Sequence, residues 1–395
     1  MQAPRPAITP NLTAGILIHM IPEGLCEHDH ICYNQLNYWG WVGSRIGHRT
    51  KNAKRIGKVG YVKLSIAMAT YNGANFLRSQ LDSLAAQTLL PDELVVSDDG
   101  STDDTLVILQ EFQKVAPFAM IIHQNPHRTG YVQNFLGTVS QCSGDVIAFC
   151  DQDDVWLPQK LDVVLKKMDR DRSALVVHTA TLVDDGLEQT GGHLPHIVRS
   201  QTLPQGKASD GPMKSFPLGF CLVFRRDVAE SALRRLKNYP ESYAYYFGHE
   251  MPIYLTAKAL DPVTYLSESL ALYRRHGNNA SRGAKPDSSW SRLTQGATAY
   301  QKFAEHQHVR ANFLRWMAQN GQPDDLVSVF FRRLSTVSAR HADLMERRAA
   351  LYGQPTRRKK ASALAGLLVR RGYGGRRHGG LGLKSLVKDL WNVIR

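Results

Sequence analysis

The stretch Val62 to Thr70 is almost wholly apolar or small, the signature of a short strand buried on both faces. Tyr71-Asn-Gly73 turns the chain, and Phe76, Leu77, Leu81 and Leu84 then recur at helical spacing as far as Gln87-Thr88. The pattern repeats three times. Leu94–Ser97 predicts a second strand and Thr105–Phe112 a helix; Ala119–His123 a third strand and Tyr131–Val139 a helix; Asp145–Cys150 a fourth strand and Leu161–Met168 a helix. Phe216–Phe224 reads as a turn into another buried strand. Residues 179–215, rich in Gly, His, Pro and Ser, show no period and read as a loop able to cover a site. Farther on, Thr298–Met317 and Leu326–Tyr352 predict long helices, the second with an apolar stripe of Val327, Phe330, Phe331, Leu334 and Val337.

Strand–helix alternation with crossovers of this length predicts an α/β fold: a mostly parallel sheet with helices on both faces. Ligands of such sheets sit beyond the carboxyl ends of the strands. Three strands here end in polar clusters: Thr70-Tyr71-Asn72, Asp98-Asp99 and Asp151-Gln-Asp153-Asp154. The turn after the first strand lacks the Gly-x-Gly-x-x-Gly of dinucleotide-binding folds, which disfavours hydride transfer, and no P-loop lysine motif occurs.

Charge changes the picture. The 395 residues carry a formal net charge of +14. Residues 291–395 hold 20 Lys+Arg against 6 Asp+Glu, whereas 64–290 hold 21 against 26. The middle is therefore mildly acidic and the excess sits at one end, which argues against a nucleic-acid-binding domain as a whole and for a basic appendage facing anionic lipid. Arg357-Arg-Lys-Lys360 precedes the apolar run to Val369, Arg370-Arg371 and Arg376-Arg377 follow, and Leu381–Ile394 is amphipathic, with Lys384, Lys388 and Arg395 beside Leu386, Leu390 and Trp391. This is the pattern of an interfacial helix pair; the alternative is a solvated tail packed on the rest. No apolar run approaches the ~20 residues of a membrane span. Five cysteines are too few for a disulfide framework in a chain this long and suit a reducing cytoplasm. The spacing in Cys26-Glu-His-Asp-His-Ile-Cys32 is not that of a usual zinc knuckle.

Asp151, Asp153 and Asp154 place three carboxylates in four residues. Held together they repel unless a cation or a raised pKa compensates. A hard divalent cation, Mg²⁺ or Mn²⁺, bridging to a diphosphate is one answer; helix capping by Asp154 is the other. Of Asp98 and Asp99, one can accept from a pyrimidine N–H while the other supports its loop.

Four segments resemble a family-2 glycosyltransferase of the GT-A fold: Ser65–Gly73, Gln80–Thr88, Asp92–Asp103 and Phe149–Trp156. The Asp-Gln-Asp-Asp-Val-Trp form, with Tyr273-Arg-Arg-His-Gly-Asn-Asn279, looks like the rhamnosyltransferase-like branch that builds bacterial surface polysaccharides. The resemblance covers about residues 62–285, leaving 1–61 as an N-terminal extension and 286–395 as a helical basic region. It implies a nucleotide-diphosphate sugar donor, a saccharide or lipid-linked acceptor and inversion at the anomeric carbon; the basic C-terminal region places the work at the inner face of the cell membrane. Carried over by position, it implies that Thr70, Tyr71 and Asn72 line the nucleoside, Asp99 beside Asp98 reads the base, and Arg128 contacts base or phosphate. Asp151 would face the ribose and, with Asp153 and His276, the metal. The base that deprotonates the acceptor would be Glu250 in Gly248-His-Glu250, where the family usually has Asp, with His249 in reserve. An N-cap carboxylate for the following helix is the plainer role for Glu250. The rival functions are a degenerate nucleotide-sugar-binding module and a non-enzymatic RNA-binding protein, the latter without any interleaved aromatic motif to support it.

Overall fold

The computed structural model describes residues 62–374 and 380–394, apart from 208–211, 214, 278 and 280–295. The extension 1–61, with Cys26 and Cys32, lies outside the described residues, as do Arg376, Arg377 and Arg395.

The first half alternates as its hydrophobic pattern predicts: β1 (Leu64–Thr70), α1 (Ala74–Ala85), β2 (Glu93–Asp98), α2 (Thr105–Gln113), β3 (Ala119–Gln124), α3 (Tyr131–Gln141), β4 (Val146–Cys150), β5 (Val155–Trp156) and α4 (Lys160–Asp171). Then come β6 (Leu175–Val183), β7 (Gln189–Leu194), β8 (Gln201–Leu203), β9 (Leu222–Arg225), α5 (Arg226–Arg235), α6 (Glu241–Phe247), α7 (Glu250–Leu260) and β10 (Val263–Arg274). The sheet runs β3-β2-β1-β4-β9-β6-β10-β5, with β7 beside β6 and β8 beside β10. Strands β1 to β4 pair in parallel. Strand β9 enters antiparallel between β4 and β6, so the sheet is mixed.

Two corrections follow for the segment read as a loop. Its first residues extend β6, and the remainder supplies β7 and β8. β7, Gln-Thr-Gly-Gly-His-Leu, lies almost wholly exposed. With neither face buried, nothing selected an alternation that the sequence could display.

Strand residues alternate between two apolar layers. Ile66 and Met68 face Leu77, Leu81 and Leu84 of α1, Leu109 of α2, and Leu161 and Val164 of α4. Ala67 and Ala69 face Val132 and Phe135 of α3 and the α5 to α7 helices. That second layer continues into α8 (Ala297–Gln319) and α9 (Leu326–Tyr352), through Phe313, Met317, Val327, Phe330, Phe331 and Leu334. The predicted α9 stripe is thus buried, with Val337 half-buried at its end. Asp325 caps α9 by accepting from Ser328 N–H at 2.6 Å and pairs with Arg235 of α5. Beyond α9, α10 (Arg357–Val369) and α11 (Leu383–Ile394) form a smaller cluster with Tyr300, Leu344, Leu351, Leu364 and Leu367. No helix among the described residues is long and apolar enough to cross a membrane.

Candidate active site

The site lies where the loops after β1, β2, β4 and β10 meet at the carboxyl end of the sheet. The β1 and β2 loops are stitched together. Asn72, in the left-handed region at φ 47°, accepts from Thr102 N–H at 2.8 Å, and its own N–H donates to Ser101 Oγ at 2.9 Å. Asp98 accepts from Ser101 N–H at 2.9 Å, Ser101 Oγ at 2.5 Å and Thr70 Oγ1 at 2.9 Å. Asp98 and Thr70 are both buried and hydrogen-bonded to each other within this turn, so the side chain of Thr70, expected to line the nucleoside, is engaged by Asp98.

Asp99 organises a different loop. Its carboxylate accepts from Thr129 N–H at 2.7 Å, Thr129 Oγ1 at 2.9 Å, Asn125 Nδ2 at 3.0 Å and Gly130 N–H at 2.8 Å. Burial alone would raise its pKa, but these four donors outweigh it and hold the group below the usual carboxylate range. Asp99 therefore fixes the 125–130 loop that carries Arg128. The Arg128 guanidinium lies 3.9 Å over the Tyr71 ring. The structure brings Tyr71, Arg128 and Asp99 together, with the Asp99 carboxylate, expected to read the base, engaged by the 125–130 loop.

Gln152 was missed from the sequence. Its side-chain amide pairs both ways with the Tyr71 backbone, accepting from N–H at 2.9 Å and donating to C=O at 3.0 Å. A Cβ at Gly73 would come within 2.3 Å of Gln152 Oε1. A side chain at this position would therefore have to displace the Gln152 amide, a constraint from the β4 loop that is invisible without the fold.

Asp151, Asp153 and Asp154 can bring a ligand oxygen each within 4.8 Å of one another. Burial, then Asp153, then Glu250 raise the Asp151 pKa, and Asp154 is raised by the same burial and by both neighbours. Asp153 Oδ2 stands 2.9 Å from His276 Nε2 and accepts from Asn279 Nδ2 at 3.2 Å. Phe76 packs on the His276 ring at 4.5 Å. Arg274, also missed, anchors this corner. It donates to the Asp153 carbonyl at 2.9 Å and to Asp154 Oδ1, through its backbone N–H, at 3.1 Å. The Asp154 partner is a strand-end N–H rather than the first turn of α4, so the capping role is not the one observed. Its Oδ2 is buried without a hydrogen-bond partner. Behind it lies Lys160, buried, donating to the Phe220 carbonyl at 2.9 Å and seated 3.3 Å over the Trp156 ring. Burial pushes this ammonium down to about 8. Two buried cations, Lys160 and Arg274, stand beside three carboxylates; such a surplus of negative oxygens, one of them orphaned, fits a hard divalent ion.

Glu250 opens α7, and its charge is felt at Asp151. Its carboxylate accepts from the backbone N–H groups of residues 249 and 250, but burial wins and pushes it up to about 7. Gly248 takes φ 58°, and a Cβ there would fall 2.3 Å from Glu250 Oε2. Only glycine both tolerates that backbone and leaves room for the carboxylate to fold back. His249 is different. Its ring stacks on Phe135 at 4.0 Å and meets Phe149 edge-on at 4.7 Å. Both ring nitrogens lack hydrogen-bond partners, and burial pushes the ring down to about 3. The ring expected as a reserve base is thus packed among aromatics, with its Nδ1 3.5 Å from Glu250 Oε2.

Residues 65–233 match the model of the family described as glycosyl transferase family 2. A Nostoc protein described as the uncharacterized glycosyltransferase alr2836 is 30% identical over 225 residues, covering 55% of this chain and 66% of its own length. The dTDP-rhamnosyl transferase RfbG of Shigella flexneri is 37% identical over 98 residues, covering 24% of this chain and 34% of its own length. The crystal structure of S. aureus TarS 1-349 in complex with UDP superposes with a TM-score of 0.48 at 16% identity, over 78% of this chain and 92% of that one. The chain thus spans just under two thirds of the Nostoc relative and about a third of the Shigella one. The segment that holds the β1, β2 and β4 loops of the site is thus the part of the chain similar to glycosyl transferase family 2.

Proposed function

We propose that the protein transfers a sugar, with inversion, from a nucleoside-diphosphate donor to an acceptor hydroxyl, with Glu250 as the base. The observation that carries this is the desolvated Glu250 carboxyl, about 7, beside the acidic cluster. A base poised near neutral pH captures a hydroxyl proton most effectively. Asp151 and Asp153, with His276 at 2.9 Å from Asp153, are the residues that would hold Mg²⁺ or Mn²⁺. Such an ion supplies charge neutralisation for the diphosphate.

The chain's own residues do the rest. Tyr71 and Arg128 form a stacked edge for the nucleoside, and Asp99 keeps that edge in place through the 125–130 loop. Gln152 locks the β1 loop to the acidic loop, so donor-binding and metal-binding edges move as one. Glu250 takes the acceptor proton on the side of the anomeric carbon away from the leaving diphosphate, which is the geometry of inversion. Rhamnose as the sugar is supported by the likeness to RfbG and by the Asp-Gln-Asp-Asp-Val-Trp form. The acceptor in this reading is a growing surface saccharide or its lipid-linked precursor. On the same reading residues 62–285 carry the catalysis, and the basic 286–395 region holds the enzyme at the inner face of the cell membrane.

Thermal shift with nucleoside diphosphates and their sugars, with and without Mn²⁺ or Mg²⁺, tests the core of this. A metal-dependent rise with one donor, and release of its diphosphate on adding acceptor, is the expected result. Equal responses to all donors with and without metal would remove it.

A further inference from the structure

Helix α11 is packed inside out. The side it turns to the body centres on polar groups: Ser385 and Asp389 are its fully buried residues, Asp389 being 0% exposed, with the half-buried Leu386 and Val393 packed beside them. Asp389 pairs with Arg348 of α9 at 2.8 Å and accepts from Tyr352 Oη at 3.0 Å and Tyr373 Oη at 2.7 Å. Arg348 also lies over the Tyr300 ring at 4.5 Å. The side turned to solvent is apolar. Leu383, Val387, Leu390, Trp391 and Ile394 recur at i, i+4, i+7, i+8 and i+11, and Trp391 and Val387 are 67% and 61% exposed. An ordinary surface helix buries its apolar stripe. Here the buried ion pair fixes the rotation that keeps the stripe out.

The surroundings say what covers it. Lys360 of α10 donates to the Asn392 carbonyl at 3.2 Å, which sets the start of α10 beside the end of α11. Arg357, Arg358 and Lys359 are exposed at that start, and Leu368, Val369, Arg370 and Arg371 are exposed at the far end of α10. Lys384 and Lys388 belong to α11 itself. Within 357–374 and 380–394 the one acidic residue is Asp389, already paired. An apolar stripe with cations on its own and the neighbouring helix, and no other acid in either, matches the boundary between acyl chains and anionic headgroups.

We propose that α11 is a membrane-seating helix, laying Leu383, Val387, Leu390, Trp391 and Ile394 into the acyl boundary of an anionic bilayer while the Arg348–Asp389 pair holds its orientation and the exposed arginines and lysines of α10 meet the headgroups. This rests on the membrane part of the functional reading and not on its chemistry. The seat does not span the bilayer; it lies along it.

Flotation of the full chain with vesicles of phosphatidylcholine alone, and mixed equally with phosphatidylglycerol, tests it. The wild type is expected to float with the anionic vesicles and to lose that binding in high salt. L383S/W391S, both on the exposed face, is expected to bind at least about tenfold more weakly. R370Q/R371Q is expected to lose about fivefold per charge removed. Both variants should keep the wild-type melting temperature and metal-dependent donor binding, which separates failure of the seat from failure of the catalytic reading. Equal flotation of wild type and L383S/W391S would overturn the proposal. So would a wild type that ignores anionic vesicles and instead forms, by light scattering, a dimer that L383S/W391S abolishes.

Discussion

Two groups of buried charge in this chain are built on opposite balances. At the carboxyl end of the sheet, the three carboxylates Asp151, Asp153 and Asp154 outnumber the buried cations beside them, Lys160 and Arg274, and Asp154 keeps an unpartnered oxygen. Between α9 and α11, a single carboxylate, Asp389, meets a guanidinium and two phenols. The second group is complete in itself and can act only as a clamp. The first is short of positive charge by design of its loops, and its surplus is what a cation and a diphosphate would neutralise. Balance marks architecture, and imbalance marks a place where a ligand is expected.

The largest effect expected is on the unbalanced side. Asp153→Ala removes the carboxylate that His276 and Asn279 steady, and should lower turnover at least about a thousandfold, with the same loss on chelating divalent ions. Diphosphate release in the presence of Mn²⁺ measures it. Turnover near wild type would break the comparison at once.

Glu250→Gln should lower kcat by about 10² to 10⁴. The wild-type rate should rise with pH through about 7, as the carboxyl loses its proton. Stability moves the other way. A carboxyl raised from 4.5 to about 7 binds its proton more tightly when folded, so its contribution is full below 4.5 and lost as pH rises through 7. Above pH 7 the glutamine variant should therefore unfold later than the wild type, by up to about 3 kcal/mol. An inactive variant that is no more stable at pH 8 than the wild type would argue against a desolvated carboxylate.

On the balanced side, Asp389→Ala should cost about 3 to 5 kcal/mol, because Arg348 is left buried without its partner. Thermal melts read this directly. Replacing both, as Arg348→Met with Asp389→Leu, should recover most of the loss; if it does not, the pair is more than a clamp. The smallest effect expected is at the donor edge. Arg128→Ala gives up an exposed stack on Tyr71, worth about 0.5 to 1 kcal/mol, and should weaken donor binding a few-fold by titration.

Much of this was legible beforehand, and the reason differs from place to place. Strands β1 to β4 are buried on both sides and the helices between them on one, so burial wrote itself into the apolar spacing. The acidic loop stood out because like charges so close in sequence need an explanation wherever they fold. Gln152 and Arg274 did not stand out, since each acts by reaching a backbone group about 80 and 120 residues away in the chain. β7 could not be read because almost all of it is exposed.

By itself, the sequence determined the alternation of strand and helix, the polar strand ends that must share one edge of a parallel run, the basic bias of the C-terminal quarter, and the resemblance that points to sugar transfer. These are local or additive properties: period, composition and residue spacing. Only the tertiary structure decided which polar side chains are spent and which are available. It committed Thr70 and Asp98 to a turn, sealed His249 against Phe135 and Phe149, and left Glu250 desolvated beside Asp151. It also turned the apolar side of α11 outward, through Asp389 and a partner 41 residues away. A residue's chemistry depends on what surrounds it, and those surroundings come from segments that the chain order keeps apart.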